Sequence, residues 1–126
     1  MSTTETLRKL AGNGYLYLAT VYSRHPQGTE QAYRDACQAA AWCVTRQIGV
    51  FSPIAYTHGV AVHGGIPLTD HAIWLPADRP LMDAARGLAV LMMPGWLESI
   101  GIAHEIGVFR DAGKPIVYLT WPLPEE

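Results

Sequence analysis

Residues 87–120 read GLAVLMMPGWLESIGIAHEIGVFRDAGKPIVYLT, and they hold two apolar runs on either side of a helical stretch. The runs at 87–93 and 115–120 are short and continuously apolar, which is typical of strands buried on both faces of a parallel sheet. Gly113 follows the stretch 97–112 at the position where a glycine commonly ends a helix. The segment therefore predicts a strand, a helix and a second strand parallel to the first.

The same alternation extends toward the amino terminus. A β-rich run at 15–20 predicts a first strand, followed by a polar loop. Apolar residues at helical spacing predict a helix from Thr29 to Gln47 with Thr29 as its N-cap, and residues 48–52 predict a second buried strand. Alternating strands and helices predict a doubly wound parallel sheet in one α/β domain, with ligands at the carboxyl ends of the strands.

The connection from Pro53 to Ala77 is too long for a compact α/β unit. It holds three glycines and little periodicity, and connections of this length are usually lids or binding loops. We therefore expect residues 53–77 to form an irregular loop, and a helix to begin at Asp78.

Composition describes a globular chain and excludes two classes of partner. The 126 residues fit a single domain, 1–126, and a formal net charge of −2 without any run of Lys or Arg argues against binding to polymeric nucleic acid. No stretch approaches the roughly 18 apolar residues of a membrane span, and residues 1–12 are charged where a targeting segment would be apolar. We expect a cytoplasmic protein that does not associate with membranes.

One carboxylate interrupts the apolar face of the helix predicted over residues 97–112. Glu105 lies on the stripe that should face the sheet. A carboxylate removed from water needs hydrogen bonds or an opposite charge, or else its pKa rises, and such groups concentrate in active sites. Gly101 leaves room one turn earlier, so the two residues predict a pocket with an acid in its wall. Two alternatives stay open: an ion pair with Arg34 or Arg46, or a helix turned so that Glu105 faces solvent.

A glutamate in an apolar pocket suits glycosyl transfer, in which a carboxylate attacks an anomeric carbon through an oxocarbenium-like state. Asp78 is available to protonate the departing base, although an aspartate at a helix start is also a good N-cap. Tyr17 offers a hydroxyl to orient Glu105, or a ring for the core. Ser99 begins the helix of Glu105, where the helix dipole and the hydroxyl favour a phosphate, in addition to ordinary capping.

A rival constellation consists of His58, His63, His71 and Asp70. These side chains supply enough imidazole for a zinc or other transition-metal site. Their spacing matches no common metal motif such as HExxH, and histidines in a loop can instead stack on a nucleobase together with Trp74. We therefore predict no metal and no other cofactor.

Several motifs together carry a resemblance to a known family. These are YLYLAT at 15–20, FSPI at 51–54, Trp74 with Asp78, and GWLESIGIAHEIG at 95–107. With these motifs the chain resembles the nucleoside 2-deoxyribosyltransferase-like superfamily, and most closely a small bacterial branch of unknown function. The resemblance covers residues 15–120, and its most specific part is the helix that carries Glu105.

The resemblance implies a flavodoxin-like three-layer sandwich with a four- or five-stranded parallel sheet. It also implies a homo-oligomer, either a dimer or a tetramer, in which a neighbouring subunit helps to close each site. Glu105 matches the family's nucleophile, Asp78 its proton-handling aspartate and Tyr17 the tyrosine that hydrogen-bonds the nucleophile. Ser99 falls where nucleotide-cleaving members hold the 5′-phosphate. The residues expected to contact substrate are Ser99, Gly101, Thr20, Tyr22, Ser23, Arg24, Pro53 and Trp74.

The residues and the resemblance together predict an N-glycosidase or deoxyribosyltransferase. Its substrate would be a small nucleoside or nucleoside 5′-monophosphate, with Ser99 and the loop residues Ser23 or Arg24 at the 5′ substituent. Two other interpretations are a nucleotide-binding or sensing module without catalysis, and a structural subunit in which Glu105 is sealed in an ion pair.

Overall fold

The computed structural model describes all residues, from Met1 to Glu126, as an α/β fold. Five helices and four strands alternate along the chain, with a short 3₁₀ turn at Trp96–Glu98. In chain order the elements are α1 (Thr3–Ala11), β1 (Leu16–Ala19), α2 (Thr29–Thr45), β2 (Val50–Phe51), α3 (Pro53–Gly64), α4 (His71–Ala84), β3 (Gly87–Met92), α5 (Ile100–Asp111) and β4 (Ile116–Thr120).

The four strands form one parallel sheet in the order β2-β1-β3-β4. Leu16 pairs with Val50 on one side and Gly87 on the other, and Leu88 pairs with Ile116. Right-handed crossovers put α2 and α5 on opposite faces, because the chain crosses the sheet in opposite directions between β1 and β2 and between β3 and β4. The predicted doubly wound sheet and the flavodoxin-like three-layer sandwich are confirmed, with four strands.

The core lies on both faces of β1 and β3. All four residues of β1 and the first five of β3 are buried, as their continuous apolar runs predict. From α5, Ile102 and Phe109 complete this core, each 1% exposed. The helix therefore presents the face that its sequence period predicts.

Two local contacts fix the start of the sheet. Gly49 comes just before β2 and lies against the backbone of Gly14. A Cβ at Gly49 would overlap the carbonyl oxygen of Gly14. The Nζ of Lys114 donates to the carbonyl oxygens of Met82, Asp83 and Ala85 at 3.1, 2.6 and 2.7 Å, which satisfies groups left free at the end of α4.

The prediction of an irregular loop over residues 53–77 is wrong, because α3 and most of α4 occupy this segment. Ser52 caps α3 by accepting from the N–H of Ala55 at 3.2 Å, and Asp70 caps α4 by accepting from the N–H of Ala72 at 3.1 Å. Asp78 therefore lies in the middle of a helix, and the N-cap role considered for it is also wrong.

Smaller differences concern the ends of elements. Gly28, with a φ of 91°, stands at the N-cap of α2 in place of Thr29, which is already helical. The second strand is limited to Val50–Phe51, and α1 is a helix that the sequence analysis did not predict. None of the helices combines the length and the apolar character that crossing a bilayer requires.

Candidate active site

A cavity of about 90 Å³ lies at the carboxyl ends of β1 and β2, between α4 and α5. At roughly 10–15 Å³ for each water, it has room for several waters or a small ring. It is lined by Tyr17, Thr20, Tyr22, Ser23, Pro53, Ile54, Leu68, Thr69, His71, Trp74, Leu75, Asp78, Met82, Ser99, Gly101, His104 and Glu105. The structure thus brings together every predicted site residue except Arg24, which is exposed outside the lining.

Close contact between the loops after β1 and β3 shapes one end of the cavity. Gly95 adopts a φ of 91°, and a Cβ there would lie 2.6 Å from the carbonyl oxygen of Arg24. A glycine is needed at this point for both reasons. Arg24 therefore contributes its backbone to the packing of these loops, while Tyr22 and Ser23 line the cavity.

Glu105 projects into this cavity without a cation beside it. No nitrogen of Lys, Arg or His lies within 4.0 Å of its carboxylate. Arg34 pairs instead with Glu30 at 3.4 Å, and the guanidinium of Arg46 stacks over the Trp42 ring at 4.0 Å. The ion-pair alternative is wrong, and so is the alternative of a helix turned toward solvent, because Glu105 is partly buried in the cavity wall.

The environment of Glu105 favours the protonated acid. Desolvation raises the pKa of its carboxyl well above the ordinary value, and the nearby charge of Asp78 raises this pKa further. The hydroxyl of Tyr17 acts in the opposite direction, since it faces the carboxylate and favours the ionised form. The Tyr17 hydroxyl and the Glu105 carboxylate are close neighbours whose geometry falls short of a hydrogen bond.

Asp78 faces the same cavity from α4. Desolvation raises the pKa of its carboxyl from 3.8 to about 6. Asp78 is thus mostly ionised at neutral pH, whereas burial favours the protonated form of Glu105. Two carboxyls whose pKa values are raised in one cavity can serve as an acid and a base.

Tyr17 packs in the core next to these carboxyls. Its side chain is 1% exposed and packs between Phe51 of β2 and Phe109 of α5, with ring centroids 5.8 Å away in both cases. Burial, followed by the charges of Glu105 and Asp78, raises the pKa of the phenol, so Tyr17 stays a neutral hydrogen-bond donor. Tyr17 is therefore both a core residue and part of the cavity wall.

Ser99 and Thr20 add polar groups at the far end. Ser99 is 7% exposed and caps α5, with its Oγ accepting from the N–H of Ile102 at 3.1 Å. Thr20 is 5% exposed, and its Oγ1 has no hydrogen-bond partner. The capping interpretation of Ser99 is confirmed, and its predicted contact with a phosphate stays a prediction.

The histidines of the rival constellation do not converge. His58 is buried under α2, whereas His63 and His71 are exposed. Their side chains belong to no group of three or more His, Cys, Asp or Glu that would hold a metal ion. His71 contributes to the cavity wall by itself.

The sequence analysis missed several wall residues. His104 immediately precedes Glu105, and the remaining ones are Ile54, Leu68, Thr69, Leu75 and Met82. Counting helical steps in both directions from Asp78 reaches His71, Trp74, Leu75 and Met82. The helical spacing of these residues is therefore a usable signal in the sequence. Predicting residues 53–77 as an irregular loop hides it.

Comparison with known proteins places the chain in a family. Residues 14–120 match the family model described as "Domain of unknown function (DUF1937)", which covers most of the chain and all of the sheet. The chain belongs to this family. No protein among the curated ones matches the chain. The family model spans every residue of the cavity wall.

Proposed function

We propose that this member of the DUF1937 family is an N-glycosidase or deoxyribosyltransferase acting on a small nucleoside or nucleoside 5′-monophosphate. One observation carries the proposal: Glu105 and Asp78 face one cavity with no cation to neutralise them, and burial raises the pKa of both carboxyls. Two carboxyl groups of different acidity are what hydrolysis of a glycosidic bond requires.

The proposed reaction has two steps. In the first, an oxygen of ionised Glu105 forms a bond to C1′ of the sugar while the bond from C1′ to the base nitrogen breaks, and the base leaves with the proton of Asp78. In the second, water attacks C1′, Asp78 takes the proton of this water, and the carboxylate of Glu105 is released. A second base in place of water completes a transfer.

The first step needs an ionised Glu105 and a protonated Asp78. Burial raises the pKa of both carboxyls, so a site that holds one proton reaches the reactive form when this proton lies on Asp78. Tyr17 supports this form, since its hydroxyl favours an ionised Glu105.

The other wall residues would bind the substrate. Ser99 and the amino-terminal end of α5, with Thr20 and Ser23, would hold the 5′ substituent. Trp74 would stack on the base, and Gly101 and Pro53 leave space for the sugar. Arg24 would have to reorient its exposed side chain to join them.

A panel of nucleosides and nucleoside 5′-monophosphates tests the proposal, with release of free base measured by chromatography. We expect Glu105→Gln and Asp78→Asn each to reduce base release by at least about 100-fold, the usual contribution of a positioned acid or base. Glu98→Gln is the matched control, because Glu98 is exposed next to the same helix. An unmodified protein that releases no base from any member of the panel would refute the proposal.

A second candidate is a nucleotide-binding or sensing module on the same scaffold. The feature that favours it is the raised pKa of Glu105, because a neutral carboxylic acid can donate a hydrogen bond to a bound ligand. In a sensor, Glu105→Gln should keep much of the ligand affinity, and calorimetric titration of the variant separates the two candidates.

We also propose that the protein is a cytoplasmic homo-oligomer, either a dimer or a tetramer, with sites shared between subunits. In support, α3 exposes Tyr56, Val60 and Val62 while it buries the polar side chains of Thr57 and His58. A group of exposed apolar side chains is typical of a surface that another protein subunit covers. Light scattering on the purified protein measures the oligomeric state directly.

A further inference from the structure

A buried histidine behind the cavity contacts three side chains through its ring and both ring nitrogens. His58, on α3, is 6% exposed, and its ring stacks on Tyr33 with 4.3 Å between centroids. Its Nδ1 lies 2.7 Å from the hydroxyl of Tyr22, and its Nε2 lies 3.2 Å from Oε2 of Glu30. The proposed reaction uses neither His58 nor Glu30, whereas Tyr22 lines the cavity.

The chemistry of these partners fixes where the protons lie. A carboxylate only accepts hydrogen bonds, so Nε2 of His58 must carry the hydrogen that is donated to Glu30. In a neutral imidazole the other nitrogen is then an acceptor, and Nδ1 receives the hydroxyl hydrogen of Tyr22. Burial, together with the charge of Glu30, raises the pKa of Tyr22 to about 12, so the phenol keeps its proton.

This arrangement determines what Tyr22 offers to a ligand. Its only hydrogen is directed at His58, and its oxygen keeps a lone pair for the cavity. A hydroxyl or amino group of a ligand can donate to that lone pair, whereas a phosphate oxygen would find no donor there unless the contact with His58 were broken.

We infer that Glu30 and His58 are positioning residues that turn Tyr22 into a hydrogen-bond acceptor, so that this end of the cavity selects an uncharged hydroxyl or amino group of the ligand over a phosphate. The inference rests on the proposed function only for the nucleoside nature of the ligand. It assigns to Tyr22 a sugar hydroxyl or a base amino group, and it leaves a 5′-phosphate to other parts of the wall.

The first experiment needs no ligand. Nitrogen chemical shifts of the His58 imidazole, measured by NMR at neutral pH, report which ring nitrogen carries the hydrogen. We expect hydrogen on Nε2 alone, and we expect Glu30→Ala to produce a mixture of the two neutral forms. Arg34→Gln is the matched control, because it removes the exposed ion pair of Glu30 and leaves His58 untouched. A hydrogen on Nδ1 in the unmodified protein, or an unchanged spectrum in Glu30→Ala, overturns the inference.

The second experiment compares the affinities of a deoxynucleoside and its 5′-monophosphate by calorimetric titration. One lost hydrogen bond corresponds to a factor of about 3–10 in affinity, and we expect Tyr22→Phe to weaken both ligands by this same factor. His58→Leu should instead raise the affinity for the monophosphate relative to the deoxynucleoside, because the freed hydroxyl of Tyr22 can donate to a phosphate oxygen, whereas His58→Asn should keep the original preference, because its amide oxygen can accept from Tyr22. A loss confined to the monophosphate would show that Tyr22 serves the phosphate, which overturns the inference.

The two experiments separate failure of the inference from failure of the proposed function. If the unmodified protein binds neither ligand, the proposed nucleoside chemistry is wrong, and the imidazole spectrum still decides whether Glu30 and His58 orient Tyr22. If both ligands bind and Tyr22→Phe changes neither affinity, the proposed function stands and the inference falls.

Discussion

Replacing Asp78 with asparagine should make the folded protein more stable at neutral pH, even if it abolishes activity. In the unfolded chain this carboxyl has its ordinary pKa of 3.8, and in the fold desolvation raises the pKa to about 6. Between these values the unfolded chain loses a proton that the folded protein retains. The contribution of Asp78 to stability is therefore most favourable below about pH 4, falls as the pH rises toward 6, and stays low above it.

The size of the effect follows from the same shift. A pKa raised from 3.8 to about 6 corresponds to about 3 kcal/mol. Because Asp78 keeps part of its surface in contact with water, we expect about 2 kcal/mol of this to be recovered by Asp78→Asn at pH 7. For a domain of this size that gain raises the Tm by roughly 6–10 °C.

Thermal unfolding of both proteins between pH 3.5 and 8 measures the prediction. The Tm difference should be near zero at the acid end and reach its full value above about pH 6. Asp83→Asn on the same helix is the matched control, because the carboxyl of Asp83 is exposed and pairs with Arg79 at 2.9 Å. A Tm difference that is independent of pH, or an Asp78→Asn variant less stable than the parent at pH 7, would refute the desolvation argument.

Three further predictions concern the site and the sheet. Base release should show a bell-shaped pH profile: it is low at acidic pH, where both carboxyls are protonated, and it falls at high pH once both are ionised, with both limbs displaced upward by the raised pKa values of Asp78 and Glu105. Gly49→Ala should destabilise the fold by roughly 1–3 kcal/mol in urea titrations, because its Cβ would overlap a backbone carbonyl, whereas Gly59→Ala, with no atom within 4 Å, should be neutral or stabilising. Lys114→Met should cost about 1–3 kcal/mol of unfolding free energy, since it leaves carbonyl groups at the end of α4 without their donor, and a loss under 0.5 kcal/mol would contradict that role.

The second half of the sheet could be predicted because its sequence signals agree with one another. Strands buried on both faces have continuous apolar runs, and β3 and β4 lie within one or two residues of the predicted bounds. Gly113 has a φ of 70° just after α5, which is the reason for a glycine there. The helical spacing of the apolar residues and the helix end at Gly113 together also predict Glu105 on the inner face of α5.

Helices α3 and α4 could not be predicted in this way. On α3 the polar Thr57 and His58 are buried while the apolar Tyr56 and Val60 are exposed. The apolar residues of this helix therefore do not fall on one face, and the helical period that would predict it is absent. On α4, Pro76 and Pro80 lie inside the helix, where they normally indicate a break. Tertiary packing overrides both local signals.

The candidate site shows the same division. The sequence period could assign Glu105 to a face, but it contains no information on how far α4 lies from α5. Asp78 is a candidate acid from its place beside the predicted long loop and from the resemblance, but no pattern in the residues requires it to face Glu105. Arg24 lies outside the cavity wall with its side chain exposed, and its backbone contacts Gly95, neither of which spacing along the chain reveals.

The prolines of α4 have a mechanical consequence. Pro76 and Pro80 bracket Asp78 and lack the N–H groups that would tie this part of the helix to the preceding turns. Glu105, in contrast, belongs to a capped helix anchored in the core by Ile102 and Phe109. Asp78 thus lies on a helix segment with fewer backbone hydrogen bonds than the segment that carries Glu105. We therefore expect the distance between the two carboxyls to increase when a ligand enters the cavity, while the sheet keeps its shape. Amide hydrogen exchange should accordingly be faster in the backbone around Asp78 than in the backbone around Glu105.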